Sequence, residues 1–461
     1  MNITSSLFLF VFLPIVIVFY FAFGNRKLRV ILLFLASLVF YAWGDVKSIP
    51  ILLAVILFNW IFAYSRRFLH NDRIARIVLA VSVAADVLLL VYYKYLAFLL
   101  GLLPGTWIEG IPEIQTIMPL GISFFVFKVI SFQVDSYRKP ELVEGGFLDF
   151  ALYVSFFAQI LSGPITRFGD VKKQLDALKP NKELFCDGAE RFALGLIKKI
   201  LIAEQVSAIA NAAFGAAAPG APLAWAGALS YTVQLYFDFS GYSDMAIGLA
   251  MLFGLTTPEN FDYPYSAHSV QEFWRRWHIS LSSWFRDYVY FSLGGSRCSL
   301  FRTCVNTLIV FALTGLWHGA NLTFLFWGIF HAVFIIMERL FLKQVLEKTP
   351  KILQSVYTLL VVMIGWILFR AANLPEAITY IGSLFNFAQG GWQQLVLALS
   401  AEKLTYLVFG CVFAFPVWRR MREFLTRRST AVYYSVLAIL FFVSLCYLIG
   451  NGFSPFLYIQ F

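Results

Sequence analysis

The sequence predicts an all-α polytopic membrane protein, and three observations predict it. Apolar runs of about 17 to 25 residues, long enough to cross a bilayer, recur along the whole chain. Only 13% of the 461 residues are charged and 60% are hydrophobic, whereas a soluble domain is usually about 25% charged. The lysines and arginines behind the net charge of +10 sit in short clusters between the apolar runs, as the positive-inside rule expects.

The same features exclude other classes. No polar stretch is long enough for a soluble domain, and the alternating strands of an outer-membrane barrel are absent. A nucleic-acid partner would need a basic face on a folded domain, so the positive charge reads as topology. The five cysteines, Cys186, Cys298, Cys304, Cys411 and Cys446, form no CxxC pair. Cys298 and Cys304 lack the further ligands of a metal site, so neither a metal nor a bound cofactor is expected.

The N-terminal apolar run, residues 7–24, has its positive charge after it rather than before it. It reads as a retained span with its N-terminus outside the cytoplasm. Residues 30–43 and 49–64 form the next two spans, followed by a basic loop carrying Arg66, Arg67, Arg73, Arg76 and a solvated His70. Residues 77–101 cross outward, with Lys94 snorkelling near the outer end. The acidic loop at 102–116 fits the outside, and residues 117–134 return.

Alternation then breaks. Residues 147–162 are apolar, yet basic residues flank both sides, so the segment dips in and returns, turning at Gly163–Pro164. Residues 188–215 form a helix that starts at the interface. Residues 224–254 would make a helix about 46 Å long, against a hydrocarbon core of about 30 Å. YFDFSGYSD interrupts them, predicting a helix broken at DFSG. Asp238 and Asp244 fall there, either capping or pairing for stability or taking part in a site with Ser240; Arg275, Arg276 or Arg286 are their expected partners.

Residues 303–317, 322–337 and 352–369 cross again. Residues 371–399 lie at the outer interface, 404–418 return to the arginine-rich RRMREFLTRR, and 432–450 cross out. The walk gives about eleven unbroken spans plus broken and dipping segments, with both termini outside. It forms one transmembrane domain with N-terminal helices (1–145), a core (146–342) and C-terminal helices (343–461).

The chain is organised around residues 273–320, from FWRRWHISLSSWFRDYVYFSLGGSR to TGLWHGA. Two of its five histidines, His278 and His318, lie 40 residues apart there. Gly315 and Gly319 flank His318 and allow another backbone or a substrate to come close. A neutral imidazole can take a proton from a hydroxyl near pH 7. The alternative is that each histidine satisfies a buried hydrogen bond; His331 reads as a helix-packing residue and His268 as a loop residue. Arg275, Arg276, Arg286 and Arg297 line the basic edge of the stretch, either binding phosphates or setting topology and meeting membrane lipids.

The motifs FYAWG (40–44), QILSGPITRF (159–168), YFDFSGYSDMAIG (236–248), FWRRWHISLSSWFRDY (273–288), GLWHGA (315–320), FRA (369–371) and the tail PFLYIQF resemble those of the membrane-bound O-acyltransferase family. The similarity is strongest to its bacterial branch, typified by the membrane subunit of alginate O-acetylation. The resemblance implies a ring of helices around a tunnel joining a cytoplasmic donor to an acceptor on the far side. It implies that His318 matches the essential histidine and His278 the second catalytic position; Arg275, Arg276, Asp238, Ser240, Trp317 and Asn321 are the candidate substrate-binding residues. It also implies acetyl-CoA or another acyl thioester as donor, a polysaccharide as acceptor, the bacterial inner membrane as location, and a separate extracytoplasmic acetyltransferase-type partner. Peptidoglycan O-acetylation and D-alanyl transfer to teichoic acid remain sibling activities. A polysaccharide or lipid transporter remains the alternative of another class.

Overall fold

The computed structural model describes residues 2–104, 117–387, 391–451 and 456–457, and every regular element among them is helical. Local signals explain the first helices. Pro14 stands in the first turn of α1 (Leu13–Ala22), where a missing N–H is harmless. The Asn25 side chain accepts from Lys27 N–H and caps α2 (Arg26–Asp45). At Asp45 the backbone leaves the helical region (φ −157°, ψ 83°), and its carboxylate accepts from Ser48 N–H before α3 (Ile49–Ser65) begins. Asn71 caps α4 (Asp72–Leu90) in the same way.

The chain divides into two compact units. The first comprises Met1–Phe192 and Met245–Pro258. In it α5 (Ile122–Arg138) starts after Gly121, whose φ of +72° and contact with the Ile160 carbonyl leave no room for a Cβ. The expected dipping segment is α6 (Phe147–Ser155), a nine-residue helix about 13 Å long. The chain turns over residues 156–162, before Gly163–Pro164, and continues to α7 (Phe168–Asp176). Lys128 of α5 holds this segment. Its buried ammonium donates to the Tyr153 carbonyl (2.9 Å) and to Gln159 Oε1 (3.0 Å), and Thr166 Oγ1 reaches the same oxygen at 3.3 Å. The QILSGPITRF motif thus owes at least Gln159 and Thr166 to a buried lysine.

The second unit comprises Ala193–Asp244 and Glu259–Phe461. Helix α8 (Lys182–Ile197) begins in the first unit and leads through a π turn at Lys198–Ala203 to α9 (Glu204–Gly215). Helix α10 (Ala221–Leu252) corrects the expected break: it runs unbroken for 32 residues through DFSG. The reasons are local. Asp238 pairs with Lys199 at 2.6 Å and Asp244 with Lys198 at 2.5 Å, so the acids do not force the helix open. Gly241 is a contact rather than a hinge: a Cβ there would lie 2.8 Å from the Gly195 carbonyl oxygen. The expected arginine partners are replaced by these two lysines.

The unit continues with two short helices, α11 (Val270–Arg276) and α12 (Ile279–Phe285), and three long ones, α13 (Leu300–His318), α14 (Leu322–Met337) and α15 (Lys351–Arg370). After them come α16 (Leu374–Ser383), α17 (Gly391–Ala398), α18 (Ala401–Phe413), α19 (Val417–Arg428) and α20 (Thr430–Asn451). The arginine-rich segment is therefore helical, with Arg419, Arg420, Arg422, Arg427 and Arg428 exposed.

By length and composition, six helical stretches among the described residues can cross a membrane: Arg26–Phe68, Asp72–Gly101, Leu300–His318, Leu322–Leu346, Lys351–Arg370 and Thr430–Gly450. The pair Gly391–Ala398 and Ala401–Phe413, bent by 89°, makes a seventh if it is one span. The protein is thus a multi-pass membrane protein, and this count is lower than the eleven spans expected. One stretch, Arg26–Phe68, holds both α2 and α3, while Phe8–Ala22 and the 17-residue α5 are shorter than the others. Most of the expected outer loop at 102–116 and of the PFLYIQF tail lies outside the described residues.

Candidate active site

His318 ends α13 and is 4% exposed. Three residues, 319–321, turn the chain into α14, whose first turn Asn321 caps by accepting from Thr323 N–H (3.1 Å). The two helices meet backbone to backbone. Gly315 faces the Phe324 carbonyl, Gly328 faces the Phe311 carbonyl, and Gly319 faces the Phe324 ring; a Cβ at any of the three would overlap its neighbour. The glycines around His318 thus admit a second backbone and a phenyl ring. The imidazole itself is enclosed by Trp317, Trp327 of α14 and Phe369 of α15, with ring centroids 5.1, 5.0 and 5.2 Å away, all near perpendicular.

His278 lies between α11 and α12 in a left-handed conformation (φ 44°, ψ 53°) and is fully buried. A non-glycine residue held there stores strain of about 1–3 kcal/mol and needs neighbours that enforce it. Asn260 supplies them. Its backbone carbonyl accepts from Ile279 N–H at 3.0 Å, and its side-chain Oδ1 accepts from Ser280 N–H at 3.2 Å and from Ser280 Oγ–H at 2.9 Å. Asn260 thus satisfies the first two N–H groups of α12, which His278 does not cap. The His278 Nδ1 atom lies 3.1 Å from the same Oδ1. Burial pushes this imidazole down from 6.5 to about 3, so it is neutral at physiological pH.

Trp317 brings the two histidines together. Its ring centroid is 5.9 Å from that of His278 and 5.1 Å from that of His318. Phe239 of α10 also packs on His278, at 4.7 Å, edge to face. One turn further along the same face, Ser243 Oγ accepts from Asn260 Nδ2 at 3.0 Å.

An aromatic wall backs the site. Trp274 packs on Trp327 (5.5 Å) and Trp277 on Trp366 (4.8 Å), each near-perpendicular or tilted pair contributing about 0.5–1.5 kcal/mol beyond its buried area. Glu338 fixes α11 by accepting from Val270 N–H (2.7 Å) and Gln271 N–H (3.0 Å). His331 packs its ring against Trp274 and Trp327, each at 5.2 Å, and Gly365 leaves room for its Nε2. Neither of its ring nitrogens has a hydrogen-bond partner among the described residues, so its contacts there are ring packing.

The other candidates are placed less centrally. Asp238 is buried against Lys199, with side-chain exposures of 2% and 3%, and its second oxygen accepts from Leu457 N–H at 2.9 Å. It points about 100° around α10 from Phe239. Ser240 is buried on the same helix. Arg276 is bound to Glu272 (2.7 Å) and to Ser266 Oγ (3.2 Å), while Arg275 is exposed. Besides capping α14, Asn321 donates to the Ala372 carbonyl at 2.8 Å, so its visible work is structural.

Sequence reasoning missed Asn260, Trp327 and Phe369. Asn260 stands in PENFDYPY, where its only signal was an asparagine in a proline-flanked loop. Trp327 was hidden among 12 tryptophans, and Phe369 stood in the FRA motif without being assigned to the site.

The profile of the membrane-bound O-acyltransferase family matches residues 54–374. The chain is similar to proteins named probable alginate O-acetylase AlgI. It is 41% identical to that of Azotobacter vinelandii over 84% of this chain and 78% of the relative. Against that of Pseudomonas putida identity is 37%, covering 99% of both. It is also 35% identical to the peptidoglycan O-acetyltransferase of Helicobacter pylori, over 81% of this chain and 78% of the relative. With a helical multi-pass body and two histidines converging on one indole, the chain is an O-acyltransferase and belongs to the membrane-bound O-acyltransferase family.

Proposed function

We propose that this enzyme moves an acetyl group from a cytoplasmic thioester, acetyl-CoA, toward hydroxyls of an extracytoplasmic polysaccharide such as alginate. The observation that carries the reading is that His318 and His278 both pack against Trp317; the names of the relatives support the acceptor class. His318 takes the proton of an acceptor hydroxyl while that oxygen attacks the thioester carbonyl carbon. The carbon–sulfur bond then breaks, and the proton passes to the leaving thiolate. Enclosure by Trp317, Trp327 and Phe369 keeps bulk water from the imidazole, which strengthens the electrostatics of the step and limits hydrolysis. A separate extracytoplasmic protein completes delivery to the polymer. The family's tunnel fold, with about eleven spans, is the frame in which donor and acceptor meet.

The test is acetyl transfer in liposomes holding the protein. Radiolabelled acetyl-CoA is given on one side, and the candidate partner with alginate or peptidoglycan fragments on the other. Label on alginate alone supports the reading. Label on peptidoglycan alone favours the sibling activity named for the Helicobacter pylori relative, and no label on either with intact acetyl-CoA counts against an acetyl-CoA donor.

A further inference from the structure

We propose that Asn260 is a positioning residue that holds His278 in the Nδ1–H tautomer, so that Nε2 works as a hydrogen-bond acceptor and not as a donor. The inference rests on the reading that His278 serves the transfer reaction, but its geometry is independent of that reading.

The orientation of the Asn260 amide is fixed by its neighbours. Ser280 N–H can only donate, and it points at the atom placed as Oδ1, 3.2 Å away. The opposite end, Nδ2, faces Ser243 Oγ at 3.0 Å, so a flipped amide would set Nδ2 against the Ser280 N–H. An oxygen at that position can only accept, so the His278 Nδ1 atom 3.1 Å from it must carry the proton. In a neutral imidazole the lone pair then belongs to Nε2. Both residues are fully buried, so water does not compete for the Nδ1 proton.

This choice decides what His278 does. Two roles are open to an imidazole beside His318, polarising a carbonyl or orienting His318. A neutral imidazole protonated at Nδ1 has no proton on Nε2 to give to a thioester carbonyl. It can receive a hydrogen bond from an acceptor hydroxyl or from a donor group beside it. His278 is thereby assigned to the hydroxyl side of the reaction. The left-handed backbone at His278 belongs to the same device. Asn260 clamps residues 278–280 through one carbonyl and one amide oxygen, so ring orientation and tautomer are set together.

The experiment is solid-state NMR of full-length protein in lipid bilayers, with ring-15N histidine and His278→Gln used to assign the signal. With five histidines in the chain, that signal is resolvable by difference. The expected result is a protonated Nδ1 and an unprotonated Nε2 in the unmodified protein, lost or exchanging in Asn260→Ala and kept in Asn260→Asp, which retains the acceptor oxygen. A protonated Nε2 in the unmodified protein, or an unchanged signal in Asn260→Ala, overturns the proposal. Should Asn260→Ala not fold, the unmodified protein and Asn260→Asp still decide it. Turnover is read in parallel. Asn260→Ala is expected to lose roughly 10- to 100-fold, as when the partner of a ring nitrogen is removed from metal-bound histidines, with Asn260→Asp losing less. The expected tautomer with no acyl transfer in any variant would leave Asn260 in its role and remove the functional reading.

Discussion

The Trp317 indole packs directly on the His318 imidazole, 5.1 Å between ring centroids, and its centroid lies 5.9 Å from that of His278. As the neighbour of His318 on α13 it is carried by the helix that carries the catalytic candidate. It therefore touches both imidazoles and helps to fix where they stand.

Replacing this indole should separate shape from chemistry. Trp317→Ala leaves a void and is expected to destabilise the protein by about 3–5 kcal/mol and to abolish transfer. Trp317→Phe keeps an aromatic edge and should retain part of both. Thermal unfolding in detergent and turnover check this together; equal losses in the two variants would show that ring spacing is not what matters.

The buried pair Lys199–Asp238 makes an asymmetric prediction. Removing the lysine, as in Lys199→Met, strands the buried Asp238 carboxylate and should cost about 3–5 kcal/mol, whereas Asp238→Leu should cost less because Glu204 also lies 3.5 Å from Lys199. Replacing both, Lys199→Met with Asp238→Leu, should recover much of it, because desolvation of the pair is avoided. Urea or thermal midpoints for the two single variants and the double variant read the coupling directly. A double variant as unstable as the sum of the singles would mean that the pair is not the interaction that matters.

Gly315 predicts an intolerance that composition alone would not. A methyl at this position meets the Phe324 carbonyl, which is backbone and cannot rotate away. Gly315→Ala should force α13 and α14 apart, costing about 1–3 kcal/mol, and should lower transfer because His318 lies one turn away. Retention of both stability and activity would contradict the packing described.

The pH dependence of stability has a defined sign. His278 sits near 3 when folded against 6.5 ordinarily, through burial. Between those values the unfolded chain binds a proton that the folded chain refuses, so stability falls as pH drops from about 6.5 toward 3 and is unaffected above. The difference in thermal midpoint between the unmodified protein and His278→Gln should therefore narrow on going from pH 7 to pH 5. A constant difference over that range would mean that His278 does not resist protonation.

Much of this was legible from residue types. Long apolar runs located α13, α14, α15 and α20 within a few residues, because bilayer thickness sets their length. The motif around His278 and His318 pointed to the candidate site, and the family comparison agrees with the family that the motifs resemble. What was not legible came from tertiary pairing. The acids of DFSGYSD looked like a helix break because their lysines, Lys198 and Lys199, lie about forty residues earlier in the chain. Gly241 looked like a hinge because a sequence does not show that α8 crosses there. Asn260 was invisible because its work is to hold His278 and Ser280, 18 and 20 residues away.

The measurement that bears most directly on the central claim is release of free coenzyme A from acetyl-CoA by purified protein in liposomes, with His318→Ala alongside and its folding checked by thermal unfolding. The account predicts release by the unmodified protein and at least about a hundredfold less from His318→Ala, as expected for loss of a general base. Equal release by a folded His318→Ala protein would contradict it.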